Sequence, residues 1–262
     1  MQSPSQLGAN EAKEISAGPD GSVATTLLGN GPVRRDSLFY GFRAEEYGEI
    51  CRSARTKTLA PGETLYRAGD PVRQIFYMVG GLVKVTHLGS HGAEIILRFG
   101  AAGDVLGGLE LFSTDRHCTS SQAFRQTRTL VWEAPTFTAL VQRHPRLLHN
   151  VVRAAGRQLF QLGERFFEVA TERVSARVAR QVIRLIDQMG RPVNGHIEMT
   201  ISREDVAKMT GTTLFTVSRL FSAWDAEGLI KTRRRGLTVC DIESLRAKSQ
   251  EAAVSSQAFG LE

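Results

Sequence analysis

The chain is poor in cysteine: Cys51, Cys118 and Cys240 are the only three in 262 residues. They lie too far apart for a CxxC pair and are too few for a four-thiolate iron–sulfur cluster. An iron–sulfur cofactor is therefore not expected, and a reducing, cytoplasmic setting is. No run of 18 apolar residues exists, so neither a membrane-spanning helix nor a membrane partner is expected. The first 35 residues lack a charged start followed by an apolar core, which argues against a signal peptide. They also lack any aromatic residue and are rich in Gly, Ser, Ala and Thr, so residues 1–35 are expected to be disordered, as is a tail over 247–262. Paired-carboxylate motifs, a nucleophile elbow, a P-loop and metal-ligand spacing are all missing, and the chain is not read as an enzyme.

The composition is that of a globular protein long enough for two domains, 42% hydrophobic and 23% charged. Net charge is +6, and residues 171–246 hold 13 Lys/Arg against nine Asp/Glu, so most of the excess lies in the last third. A basic domain suits a polyanion, although a surplus for solubility gives the same count.

Between about 38 and 134 short apolar runs alternate with Gly, Pro and Asp, as in LAPGETLYRAGD (59–70) and IFYMVGGLVKVTHL (75–88). This spacing predicts an all-β sandwich or barrel over 36–135. From Pro135 the period becomes helical. In the segment after Pro145, Leu148, Val152, Leu159, Leu162, Phe166 and Val169 recur at spacings of 3, 4 or 7. That stripe predicts a long helix, assigned to 136–170, which buries one face against its own domain or against a second copy. GRPVNG (190–195) predicts a loop and HIEMTI (196–201) a short strand.

ISREDVAKMTGTTLFTVSRL (201–220) has the pattern of a helix-turn-helix. Ser202 with Asp205 three residues on marks a helix start. Ala207 is small where a second helix must cross, Gly211 gives the sharp turn, and Thr212 or Thr213 can cap the second helix. Val217, Leu220, Phe221 and Trp224 then form one apolar face. GLIKTRRRGLTVCD (228–241) predicts a β-hairpin wing whose tip, Arg233, Arg234 and Arg235, can neutralise phosphates.

These motifs occur in one order, together with GLVKV (81–85) and GDVLGGLELF (103–112), and over about 38–246 the chain resembles the Crp/Fnr family of bacterial transcription regulators. The resemblance implies an α+β architecture: an N-terminal cyclic-nucleotide-binding-type β-roll, a long dimerisation helix and a C-terminal winged helix-turn-helix over 171–246. It implies a homodimer on a palindromic site in double-stranded DNA, with RNA polymerase as a further candidate partner. The residues expected at DNA are Ser202, Arg203, Thr212, Thr213, Leu214, Phe215, Ser218, Arg219 and Ser222, with Arg233, Arg234 and Arg235 on phosphates.

The family's effector pocket maps onto Gly107, Gly108, Leu109, Glu110, Arg116, Cys118, Thr119, Ser120 and Leu162. Members that bind cAMP have Gly-Glu-Leu and then Arg-Ser; here glycine replaces the acid, Glu110 stands two residues later, and Cys118-Thr119 replaces Arg-Ser. The adenine contacts fall on Leu162-Gly163. Together these departures argue against cAMP, with Arg116 near enough in sequence to substitute. Haem-based sensing stays open, with His87, His91, His117, His144, His149 and His196 as the histidines. Two other functional readings are a ligand-binding module whose winged helix binds protein, and a cyclic-nucleotide-dependent regulator.

Leu214 and Phe215 occupy positions where the family commonly has Arg and Glu. Either they meet thymine methyl groups in the major groove, with Arg219 as polar anchor, or Phe215 folds back onto its own domain.

Overall fold

A computed structural model describes residues 37–234 and 236–250. Residues 1–36, which include the segment 1–35 expected to be disordered, the end of the chain from 251, and Arg235 lie outside the described residues.

The described residues begin with a short helix, α1 (Ala44–Arg52), and then eight strands. These are β1 (Arg55–Leu59), β2 (Thr64–Tyr66), β3 (Gln74–Gly80), β4 (Leu82–Leu88), β5 (Glu94–Ala101), β6 (Val105–Leu106), β7 (Ser120–Ala123) and β8 (Thr127–Glu133). They form two four-stranded antiparallel sheets, ordered β1-β8-β3-β6 and β2-β7-β4-β5. Phe76, Met78, Val83, Val85, Leu106 and Val131 pack between them. The β3–β4 turn demands glycine: Gly81 has φ of 91°, and a Cβ there would lie 2.4 Å from the Gln126 carbonyl.

Two helices follow, α2 (Ala134–Arg143) and α3 (Pro145–Thr171). The first turns of α3 are anchored by Leu147 and Val151 in the core that holds Trp132 and Phe137. Buried Asn150 donates to the carbonyls of Leu38 (2.8 Å) and Tyr40 (3.0 Å), so its burial leaves no donor unmet.

The single helix assigned to 136–170 is two helices, parted at His144. Glu172 takes an extended conformation (φ −100°, ψ 153°), and α4 (Val174–Met189) starts two residues later. The remainder comprises β9 (Arg191–Val193), β10 (His196–Met199), α5 (Arg203–Thr210), α6 (Leu214–Ala226), β11 (Ile230–Arg233), β12 (Gly236–Val239) and α7 (Ile242–Ser249). The loop expected at GRPVNG is therefore half strand, because β9 pairs antiparallel with β10. Residues 247–249, expected in the tail, belong to α7. The sheet runs β11-β12-β10-β9.

The C-terminal core does not end at its own domain. Leu82, Ile96 and Phe99 of the β-roll lie in the same buried cluster as Val206, Met209, Phe221 and Trp224. The roll therefore packs directly on the helix-turn-helix.

Candidate nucleic-acid interface and effector cavity

The helix-turn-helix is built by its caps. Ser202 Oγ accepts from the Asp205 amide (3.0 Å) and lies 2.7 Å from the Asp205 carboxylate. Gly211 closes α5 in the left-handed conformation (φ 59°), where a side chain would be strained. Thr213, rather than Thr212, caps α6 by accepting from the Thr216 amide at 3.1 Å. Val217 is fully buried, with Phe221 and Trp224 beside it, so α6 is rotated with its other face outward.

That outer face carries Leu214, 50% exposed, and Phe215, 76% exposed, together with exposed Arg219 and Ser222 and half-buried Ser218. Phe215 does not fold back onto the domain. Arg219 forms no ion pair among the described residues. Of the other expected contacts, Arg203 and Thr212 are half-buried at the start of α5 and in the turn. The hydroxyls of Ser202 and Thr213 are committed to caps, which positions the helices. In the wing, Arg233 pairs with Glu198 at 3.1 Å and Arg234 is exposed.

A cavity of about 240 Å³ lies between the β-roll and α3. It brings together Gly107, Gly108, Leu109, Glu110, Thr119 and Leu162 of the expected set. Arg116 is not in it: the side chain is exposed and donates to the Gly69 carbonyl at 2.7 Å. Cys118 is exposed outside it, and Ser120 Oγ accepts from the Ala68 amide at 3.0 Å. The polar lining includes residues the motif comparison missed: Tyr66, Arg98, Gln158, Gln161 and Arg165. Arg165 and Gln158 lie on the cavity side of α3, a helical-face signal beside Leu162; Arg98 comes from β5, with no local signal.

The two guanidiniums are already engaged. Arg98 pairs with Asp104 at 3.0 Å, and Arg165 donates to the Leu97 carbonyl. Burial, then the positive charge of Arg184, pushes Arg165 down to about 10 despite Glu168. Burial, then Glu110, pushes the Tyr66 hydroxyl up to about 12. No histidine, cysteine or methionine lines the cavity, so the residues there do not fit a haem held by such a ligand. His117 is buried elsewhere, stacked on Tyr66 with ring centroids 3.8 Å apart.

Between sensor and helix-turn-helix, Lys84 of β4 reaches Asp205 of α5 at 2.6 Å, and Lys208 bridges to Glu94 at 3.1 Å. Buried Arg177 ties the α3–α4 break to the DNA-binding unit, donating to the carbonyls of Thr210 (2.8 Å) and Glu172 (3.3 Å). Burial raises the Asp205 carboxyl, but the hydrogen bonds from Lys84 and Ser202 outweigh it and hold the pKa below the ordinary value. A depressed carboxylate stabilises the fold above its unfolded pKa, and that stability is lost as pH falls through the folded value. Lys84→Met leaves a shielded, unpaired carboxylate, at a cost of about 1–3 kcal/mol. Melting curves from pH 7 to 4 should then show a smaller loss on acidification than in wild type, because the folded carboxyl is no longer held below its ordinary pKa. Superposed profiles would mean the pair contributes nothing.

A β-roll with a cavity against a long helix, joined by that helix to a winged helix-turn-helix, defines a DNA-binding regulator with a sensor domain. Residues 56–144 match the profile of the cyclic nucleotide-binding domain, and residues 176–248 that of the Crp-like helix-turn-helix domain. The chain is 19% identical over 220 residues to the CRP-like cAMP-activated global transcriptional regulator of Mycobacterium tuberculosis, spanning 83% of this chain and 98% of that one. It is 29% identical over 203 residues to the transcriptional regulator LdrP of Thermus thermophilus, covering 75% and 97%. A solved CRP-family regulator of Thermus thermophilus superposes with a TM-score of 0.66 at 26% identity, over 76% of this chain and all of that one. The chain belongs to the Crp/Fnr family of transcription regulators, whose members regulate transcription and are not enzymes.

Proposed function

We propose that the protein is a homodimeric regulator that reads a palindromic DNA site through two copies of α6 and responds to an effector other than cAMP. The observation that carries the reading is the outward face of α6, where Leu214, Phe215 and Arg219 stand exposed with a capped helix behind them. A protein-binding winged helix is the weaker alternative, because the wing ends in arginines suited to phosphate.

The effector reading rests on what the cavity holds. The M. tuberculosis relative is named as cAMP-activated, but here the turn that would supply a guanidinium to a cyclic phosphate presents Thr119. Arg116 lies outside, and both cavity arginines already have partners. A buried cyclic phosphate would lack a bidentate donor. Selection of purified protein against randomised duplex, without added ligand, tests the first half of the proposal. The expected product is a palindrome with half-sites roughly one helical turn apart. No enrichment in any condition would overturn it. A thermal shift with millimolar cAMP tests the second half: no stabilisation is expected, and saturable stabilisation would refute it.

A further inference from the structure

A second concavity lies where the sensor meets the wing. Four arginines from three elements line it: Arg125 from the β7–β8 turn, Arg191 from β9, and Arg233 and Arg234 from the hairpin. Glu198 is the one carboxylate in the lining, and it is paired with Arg233. Arg125, Arg191 and Arg234 have no acidic partner among the described residues. Burial, and next the charge of Arg191, lowers the pKa of Arg125, so two like charges face each other without compensation. Such an arrangement costs free energy that a bound anion would recover. The turn that carries Arg125 is rigid: the amides of Phe124 and Arg125 donate to the Leu82 carbonyl at 2.8 and 3.2 Å. Phe124 packs against Phe99, with centroids 4.9 Å apart. Arg125 is therefore held in the groove by the sensor's own sheet.

We propose that this groove binds phosphate, and that its occupant is the DNA backbone beyond the base-reading half-site, which makes the sensor domain itself part of the DNA interface. The inference rests on the DNA-binding reading. DNA is favoured over a free anion because the groove is continuous with the wing through Arg233 and Arg234. Planar guanidiniums suit phosphate oxygens in pairs. A contact of this kind adds affinity without base preference. It also gives the sensor a direct hold on DNA: any shift of the roll relative to the wing would open or close the groove.

The test uses the full-length protein, fluorescence anisotropy and a salt series, on a long duplex carrying the selected site, a random duplex of equal length, and a duplex trimmed to the half-sites. Arg125→Gln and Arg191→Gln should each weaken binding to both long duplexes at least three- to tenfold and, with two copies per dimer, flatten the slope of log K against log salt by about two units. The loss should vanish on the trimmed duplex. Neither residue has an acidic partner among the described residues and the two repel each other, so melting temperatures should not fall below the wild-type value. Arg219→Ala serves as control, because it should weaken the selected site far more than random DNA. If both glutamine variants bind as wild type while Arg219→Ala weakens binding, the groove proposal is overturned and the DNA reading stands. Inorganic phosphate at matched ionic strength forms the other arm. If it stabilises wild type but not Arg125→Gln, while DNA affinity is unchanged, the groove binds free phosphate and its DNA role is overturned. If wild type binds no duplex at all, the DNA reading itself fails.

Discussion

Phe166→Glu is expected to leave a monomer at micromolar concentration where the proposed dimer forms in wild type, and to remove tight binding to a palindrome. The reason lies along α3, 27 residues or about 40 Å long. Val152, Leu159, Phe160, Leu162, Phe166, Phe167 and Val169 all stand exposed, and Phe166 and Leu159 reach 75% and 70%. So much contiguous apolar surface is unusual on a monomer. Gly156 and Gly163 fall between the Leu159/Phe166 and Phe160/Phe167 rows, and a Cβ on either would meet nothing within 4 Å. Nothing inside the chain demands glycine there, whereas a second helix approaching closely would. In a two-fold interface each side chain counts twice. Burying one phenylalanine contributes about 1.5–3 kcal/mol, so the pair contributes roughly double, and a buried glutamate adds a desolvation cost. The dimer constant should weaken at least ~100-fold. Analytical ultracentrifugation of Phe166→Glu beside wild type reads it directly. A variant that stays dimeric with unchanged DNA affinity would remove α3 as the seam.

The same helix connects the seam to the cavity. Leu159 and Leu162 line the cavity and also lie on the exposed face, while Arg165 closes the cavity from the next turn. An effector that moves these side chains would shift both the dimer contact and the end of α3. From there Arg177 reaches the carbonyl of Thr210, one residue before the turn of the helix-turn-helix. These contacts run without a gap from the cavity past the break at Glu172 to the helix-turn-helix.

The helix-turn-helix was legible because its signals are local. Ser202, Gly211 and Thr213 act within three or four residues of themselves, and a capping residue or a left-handed turn is written into the sequence. The α3 stripe was legible by its period, although Phe160 and Phe167 escaped it because they sit one position beyond the row. At Glu172 no glycine or proline marks the break, and Arg177 spans it with bonds to the carbonyls of Glu172 and Val169. Pocket residues assembled from distant elements left no local mark, as Arg98 and Arg165 show. Arg116 fails for the converse reason: proximity in sequence said nothing about its bond to Gly69. The packing of β4 and β5 against α5 was equally hidden, since Lys84 and Asp205 are 121 residues apart.

Base reading carries the second large effect. Arg219→Ala should cost about 1–3 kcal/mol on the selected site, between fivefold and more than a hundredfold, with little change on random duplex. Arg219 is exposed and has no ion pair among the described residues, so its removal should leave the melting temperature unaltered. An equal loss on both duplexes would reassign it to phosphate. Phe215→Glu separates the two meanings of an aromatic group at this position. A packing residue would lower stability on substitution, but Phe215 is 76% exposed and its replacement should be thermally silent. In the groove the phenyl ring offers thymine an apolar contact, whereas glutamate offers cytosine N4 an acceptor. Selection with the variant should therefore exchange thymine for cytosine at one position of each half-site and leave the others alone. An unchanged site, with or without a lower melting temperature, would show that Phe215 does not read a base, and specificity would rest on Arg219 and the shape of the DNA.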